Sequence, residues 1–297
     1  MSDRVLRVQS ALSPRDHLLL QWLRDHGVLT TPQIAYALFP SLDFAQRRLQ
    51  RLIAHEVVDR FRPLRQGGGS YPYHYVIDQL GAEVVAAQRG DPHPRPGYAR
   101  DNRRRWTSTR ILAHRLGVNQ FFTQLAGHAR THPDHRLLRW WSESRSSKYG
   151  AFTRPGQTTS AQTFKTPIRP DGHGIWAHHD RQVPFFFEYD TGGPGGEPLT
   201  ELLRKIAGYE RLALHDGPRW PVLFRLHSTE RQTNLHNLLA DTATQIPIAT
   251  AVLTTTGEGT AGPAGRSWWL HRHPELITLA ELADVIPDLE TPPRPSD

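Results

Sequence analysis

The sequence predicts an α/β chain: an N-terminal winged helix-turn-helix followed by an α/β domain with a mixed sheet. Three observations carry this. Three short helical segments with tight connections precede two strand segments that flank a glycine-rich tip. Beyond Pro133, apolar strand segments alternate with helices. All of the formal charge of +7 lies in residues 1–110, which hold 17 arginines against 10 acids, while the rest of the chain balances at 19 basic and 19 acidic residues.

Ser13-Pro14 reads as a helix start, with serine at the cap and proline in the first turn, and Leu18, Leu19, Trp22 and Leu23 recur at helical spacing up to Gly27. Thr30-Thr31-Pro32 begins a second helix that stops at Pro40, and a third spans about Asp43 to His55 with Phe44, Leu49, Leu52 and Ile53 inward. The spacing then predicts strands over Val57–Phe61 and Pro72–Ile77, joined by a tip containing Gly67-Gly68-Gly69. A helix from Gln79 to Arg89 closes the unit. The third helix carries Arg47, Arg48 and Arg51 near one exposed face, where a major groove would admit them. Arg62 and Arg65 at the wing would meet the backbone or minor groove. A protein–protein surface is the alternative for the same helix and wing.

Residues 91–106 read as a basic, Pro/Gly-rich linker that contributes Arg103, Arg104 and Arg105 to the same footprint. The expected domains are therefore 1–90 for the winged helix and 107–286 for the α/β domain, with a disordered tail over 287–297. The second domain starts on a long helix to Arg130. Strand candidates come next at Arg136–Ser142, Ile168–Trp176 and Val183–Asp190. A helix over Leu199–Leu214, a strand over Trp220–Leu226, a helix over Gln232–Thr244 and a strand over Ile246–Thr254 complete it.

The absence of cysteine removes disulfides, thiolate metal sites and cysteine nucleophiles. Neither a Walker loop nor a Gly-x-Ser-x-Gly elbow is present. No apolar run reaches the ~20 residues of a membrane helix, and the N-terminus lacks a signal pattern, so a cytoplasmic location away from membranes is expected. His173, His178, His179, His271 and His273 lack a ligand spacing and read as solvated or structural. The chemistry lies with carboxylates. Asp171 in Arg-Pro-Asp-Gly, with Glu188 and Asp190 at the end of the next strand, would converge at one sheet edge and hold Mg²⁺ or Mn²⁺ through oxygen. Lys205 on the following helix would reach the same edge. A turn residue and a solvated strand end remain the alternative.

His114-Arg115-Leu116-Gly117-Val118-Asn119, Trp140-Trp141-Ser142-Glu143, Arg169-Pro170-Asp171-Gly172 and Phe187-Glu188-Tyr189-Asp190-Thr191-Gly192, followed by Lys205 and Tyr209, resemble the replication-relaxation family. The resemblance implies a second domain similar to the PD-(D/E)XK nuclease fold, with Asp171 as the first acid, Glu188 as the second and Glu143 as an additional acid. Asp190 stands where that pattern usually has lysine, which counts against cleavage, and Lys205 is a displaced substitute. Three functions are open. One is a DNA-binding accessory protein for plasmid or mobile-element replication, relaxation or conjugative transfer, with duplex DNA and replication or relaxosome proteins as partners. The others are a Mg²⁺-dependent endonuclease or nickase and a winged-helix transcriptional regulator.

Overall fold

The computed structural model describes residues 3–65, 67–107, 109–152, 168–192, 198–215, 217–252, 262–287 and 289. Residues 290–297 of the expected tail and residues 153–167 lie outside them. The chain divides into two compact units, residues 1–130 and 131–297. It is a mixed α/β protein: an N-terminal region rich in helices, then a seven-stranded mixed sheet.

The first unit contains α1 (Asp3–Ala11), α2 (Pro14–His26), β1 (Leu29–Thr30), α3 (Thr31–Leu38), α4 (Leu42–Ala54), β2 (Val58–Phe61), β3 (His74–Ile77), α5 (Gln79–Arg89), α6 (Tyr98–Arg105) and α7 (Thr109–Thr131). Local chemistry sets the helix starts. Ser13 and Asp16 form a reciprocal capping box on α2, Thr30 and Gln33 form another on α3, and Ser41 caps α4. The sheet runs β1-β3-β2, both pairings antiparallel. Leu19, Leu20, Leu23, Ile34, Leu49, Leu52, Val58, Tyr75 and Ile77 are buried in the unit's core.

The segment expected to be a linker differs. Residues 98–105 are helical, and Tyr98 Oη accepts a hydrogen bond from Arg24 at 2.7 Å. Trp106 is buried against Val28, Val76 and Leu112. It lies so close to Gly27 that a Cβ there would be 2.1 Å from the indole, and the positive φ of 86° also favours glycine. The long helix α7, expected to open the second domain, packs with the first unit instead. Asn119 Nδ2 donates to the Val28 carbonyl at 2.6 Å, and Gln33 Nε2 donates to the Leu116 carbonyl at 2.9 Å. A proline-rich composition suggested a spacer, but one large indole and two amides tie α6 and α7 back to the core of α2, α3 and β3.

The second unit contains β4 (His135–Ser142), α8 (Glu143–Ser146), β5 (Gly172–His178), β6 (Arg181–Tyr189), α9 (Leu199–Leu214), β7 (Val222–Leu226), α10 (Thr229–Ala240), β8 (Ile248–Val252), β9 (Trp268–Leu270), β10 (Leu276–Ile277) and α11 (Leu282–Val285). The sheet order is β10-β9-β8-β7-β6-β5-β4. Strands β6, β7 and β8 are parallel, and the flanking pairs are antiparallel. Two crossover helices result from the parallel centre. Leu202, Ile206, Tyr209 and Leu212 of α9 share one apolar cluster with Leu235 and Leu239 of α10 and with Phe186, Val222, Phe224 and Leu226 of the strands, so both helices cover one face. The hairpin β9–β10, absent from the sequence expectation, extends the sheet beyond β8. Its strands are two and three residues long, too short for a periodic pattern.

Trp106→Ala should lower the unfolding free energy by roughly 3–5 kcal/mol in urea titration, the cost of emptying an aromatic core position. A change below about 1 kcal/mol would mean that the segment is a spacer after all.

Candidate functional site

In the first unit, α4 separates its arginines. Arg47 and Arg51 are exposed one turn apart, with the Arg47 guanidinium 5.0 Å from the ring centre of Phe44, itself 56% exposed. Arg48 turns inward: its Nε and Nη2 donate to the two oxygens of Asp16 at 2.9 and 2.5 Å, and Nη2 also reaches the Ala11 carbonyl. Asp16 is 1% exposed. Burial alone would raise its pKa, but hydrogen bonds from Arg48 and Ser13 outweigh this and hold it below the usual range. Arg48 therefore fastens α4 to the start of α2 rather than facing outward with its neighbours.

The β2–β3 connection presents a second group. Arg62 and Arg65 are exposed. Arg60 and Arg62 both stack on Tyr73, at 4.0 and 3.9 Å, and Arg65 lies 5.7 Å over Tyr71. Arg103 is paired with Asp59 at 2.6 Å, whereas Arg104 and Arg105 are exposed on α6, Arg105 over Trp106. Phe44, expected to face inward, is instead exposed beside Arg47, because it sits in the first turn of α4, ahead of the buried stripe of Ala45, Leu49 and Leu52. Arg60, Tyr71 and Tyr73 were not among the expected residues. The alternation of arginine with tyrosine around the hairpin was the available signal.

In the second unit, the sheet register brings the carboxylates together. Ser142 pairs with Gly172, and Gly172 with Phe187. One residue beyond that row stand Glu143, Asp171 and Glu188, on three adjacent segments. Glu188 is 1% exposed beneath α9. Tyr209 donates to its Oε1 at 2.5 Å, and Lys205 Nζ donates to its Oε2 at 3.0 Å. Spacing of four residues puts both donors on the same face of α9. Lys205 is the lysine expected at this edge; Tyr209, one turn further along α9, adds a second donor that its i, i+4 spacing from Lys205 signals. Asp171 accepts the Tyr189 N–H at 2.9 Å through Oδ2, which joins the start of β5 to the end of β6.

Glu188 is pushed up to about 8, first by burial and then by the like charge of Asp171; Lys205 and the Tyr209 hydroxyl oppose this. Its two hydrogen-bond partners are donors and suit the carboxylate. A cation near Asp171 would favour that ionised form.

Asp190 belongs elsewhere. Its carboxylate accepts both Nε and Nη2 of Arg231 on α10, the latter at 3.1 Å, and lies 3.4 Å from Nδ1 of His227. Gly192, at φ 51°, sits where a Cβ would strike the His227 ring. The Glu-Tyr-Asp-Thr-Gly run thus serves two purposes: Glu188 faces α9, and Asp190 anchors the first turn of α10. Glu143 is half-buried at the start of α8. His173 is fully buried, with Nδ1 2.8 Å from the Phe185 carbonyl and its ring stacked on Trp220; burial takes it down to about 3. It is a neutral core residue.

Asp171 and Glu188 offer hard oxygen donors, and Mg²⁺ accepts one or two protein carboxylates with water and phosphate completing its shell. The pair offers two such carboxylates, with both oxygens of Glu188 already accepting hydrogen bonds from Tyr209 and Lys205. Among the described residues, no group of three histidines or acids converges as a complete metal cage.

Because the folded chain holds the Glu188 proton more tightly than the unfolded chain, Glu188 contributes stability below its ordinary value of 4.5 that is lost as the pH rises through about 8. Urea unfolding at pH 6 and pH 9 should show the wild type losing stability relative to Glu188→Gln. Parallel behaviour of the two would refute the raised pKa.

No described helix is long and apolar enough to cross a membrane. Comparison with curated proteins and with solved structures gives no match. A family profile described as replication-relaxation matches residues 20–223. That stretch contains the arginines of α4 and the hairpin as well as Asp171, Glu188, Lys205 and Tyr209, and covers well over half of the sequence. The chain belongs to the replication-relaxation family.

Proposed function

We propose that the chain is a DNA-binding factor in the replication, relaxation or conjugative transfer of a plasmid or mobile element. In this reading α2, α3 and α4 with the β2–β3 hairpin act as a winged helix on duplex DNA. The observation that carries it is the division of labour among the arginines. Arg48 and Arg103 are held by acids, whereas Arg47, Arg51, Arg62 and Arg65 are exposed and make no ion pair among the described residues. A helix face and a hairpin tip that keep their positive charge unneutralised suit phosphate contacts and groove edges. The concentration of the whole net charge in residues 1–110 supports the same partner. Replication or relaxosome proteins would be recruited to the bound site.

Arg47→Ala/Arg51→Ala should weaken duplex binding and reduce the slope of log K against log salt by about 0.9 for each phosphate no longer neutralised. Arg48→Ala should act differently, lowering stability by roughly 3 kcal/mol because Asp16 is left buried without its partner. Unchanged affinity and slope in the double variant would remove α4 from the interface.

A second reading is favoured by one observation: Asp171, Glu188 and Lys205 meet at one sheet edge. It makes the second unit a metal-dependent nuclease of PD-(D/E)XK type. Asp171 and Glu188 would hold Mg²⁺ or Mn²⁺, which would activate water and stabilise the leaving oxygen. Lys205 would position a phosphate or water from α9. Against it, both oxygens of Glu188 are engaged, and Asp190, at the usual lysine position, is paired with Arg231. Supercoiled plasmid incubated with Mg²⁺ or Mn²⁺ should be nicked by the wild type and not by Asp171→Ala/Glu188→Ala. Absence of nicking in both metals leaves the accessory role alone.

A further inference from the structure

The edge strand β4 carries an arrangement that neither reading uses. Arg139 and Trp141 lie two residues apart on the same face, opposite Ile175 and His173 of β5. The guanidinium of Arg139 is 4.5 Å from the Trp141 ring centre, and that of Arg145, on α8, is 4.6 Å from it. Two positive groups are thus drawn to one indole and lie within about 9 Å of each other. Among the described residues neither makes an ion pair. Arg139 is half-buried, and burial together with the charge of Arg145 lowers its pKa. Cation–π attraction offsets only part of the cost of holding like charges together in partly desolvated surroundings.

An anion between or across the two forks would relieve that repulsion. Guanidinium matches phosphate in planar, bidentate geometry. Glu143 comes two residues after Trp141 and stands one step from Asp171 and Glu188, so the arginines border the carboxylate edge along the same face of the sheet.

We propose that Arg139, Trp141 and Arg145 form an anion-binding site that takes a backbone phosphate of a nucleic-acid strand beside the Asp171–Glu188 edge. The choice of nucleic acid over another phosphate rests on the DNA-binding reading given above. The site gives the second unit its own grip on the strand, separate from the arginines of α4 and the hairpin.

Phenylglyoxal modification of the full chain, mapped by mass spectrometry, tests this. A single strand of about 12 nucleotides, or inorganic pyrophosphate, should slow modification of Arg139 and Arg145 several-fold and leave exposed Arg211 unaffected. Arg145→Glu, at an exposed position, should weaken binding of the same oligonucleotide about tenfold and reduce its salt slope by about 0.7, the value of one phosphate contact on a single strand. Arg145→Lys should recover most of both. If the oligonucleotide binds while Arg139 and Arg145 react at unchanged rates and Arg145→Glu binds as well as the wild type, the site is refuted. If the chain binds no DNA, the DNA-binding reading falls; protection by pyrophosphate then still supports the anion site, and lack of protection overturns it.

Discussion

Glu188 is an ionisable group placed at the end of a strand with a long apolar run, residues 183–187, and covered by a helix, and much of the second unit answers to that placement. A buried carboxylate without partners would be strongly unfavourable. Tyr209 and Lys205 supply donors to its two oxygens from one face of α9. The same face carries Leu202, Ile206 and Leu212 into the core, so the helix that seals the apolar cluster also brings the two polar groups to the carboxylate. Moving α9 by one residue would take Lys205 and Tyr209 off the site and the apolar side chains off the sheet. Packing and polar satisfaction are thereby coupled. Asp171 adds a like charge at the same edge and leaves Glu188 balanced near neutrality.

The next two residues along the chain show how closely structural and chemical demands alternate. Tyr189 uses its backbone N–H to hold Asp171, and Asp190 draws Arg231 and His227 to the start of α10. A run that reads as one acidic motif is therefore divided between two helices. Its second acid stabilises the crossover rather than the Asp171–Glu188 edge.

The first unit solves a comparable problem with arginine. Asp16 serves as both the N3 residue of a helix cap and the buried partner of Arg48, so two helices are joined through one carboxylate. Arg47 and Arg51, on the same helix, stay in solvent. Trp106 then closes the unit by covering Val28 and Val76, and α7 is held to it through Asn119. The replication-relaxation match spans most of this unit and the first part of the next, as far as β7.

Helices α2 to α5 and α9 are legible along the chain within a residue or two, because caps, prolines and 3.6-residue periodicity are local signals. The central strands are legible in the same way, since an apolar run ending in Glu-Tyr-Asp marks a strand emerging from a core. Which charged groups meet depends on the folded chain. Arg48 and Asp16 are 32 residues apart, and Asp190 and Arg231 are 41 apart. Long-range pairing of this kind leaves no periodic trace. The first unit's extent was decided in the same way: proline and glycine set the local backbone of residues 91–97, but the burial of Trp106 and the reach of Asn119 fix where the compact unit ends. Charge type was readable along the chain; whether a charge is buried in a pair or left facing solvent depends on neighbours that only the fold supplies.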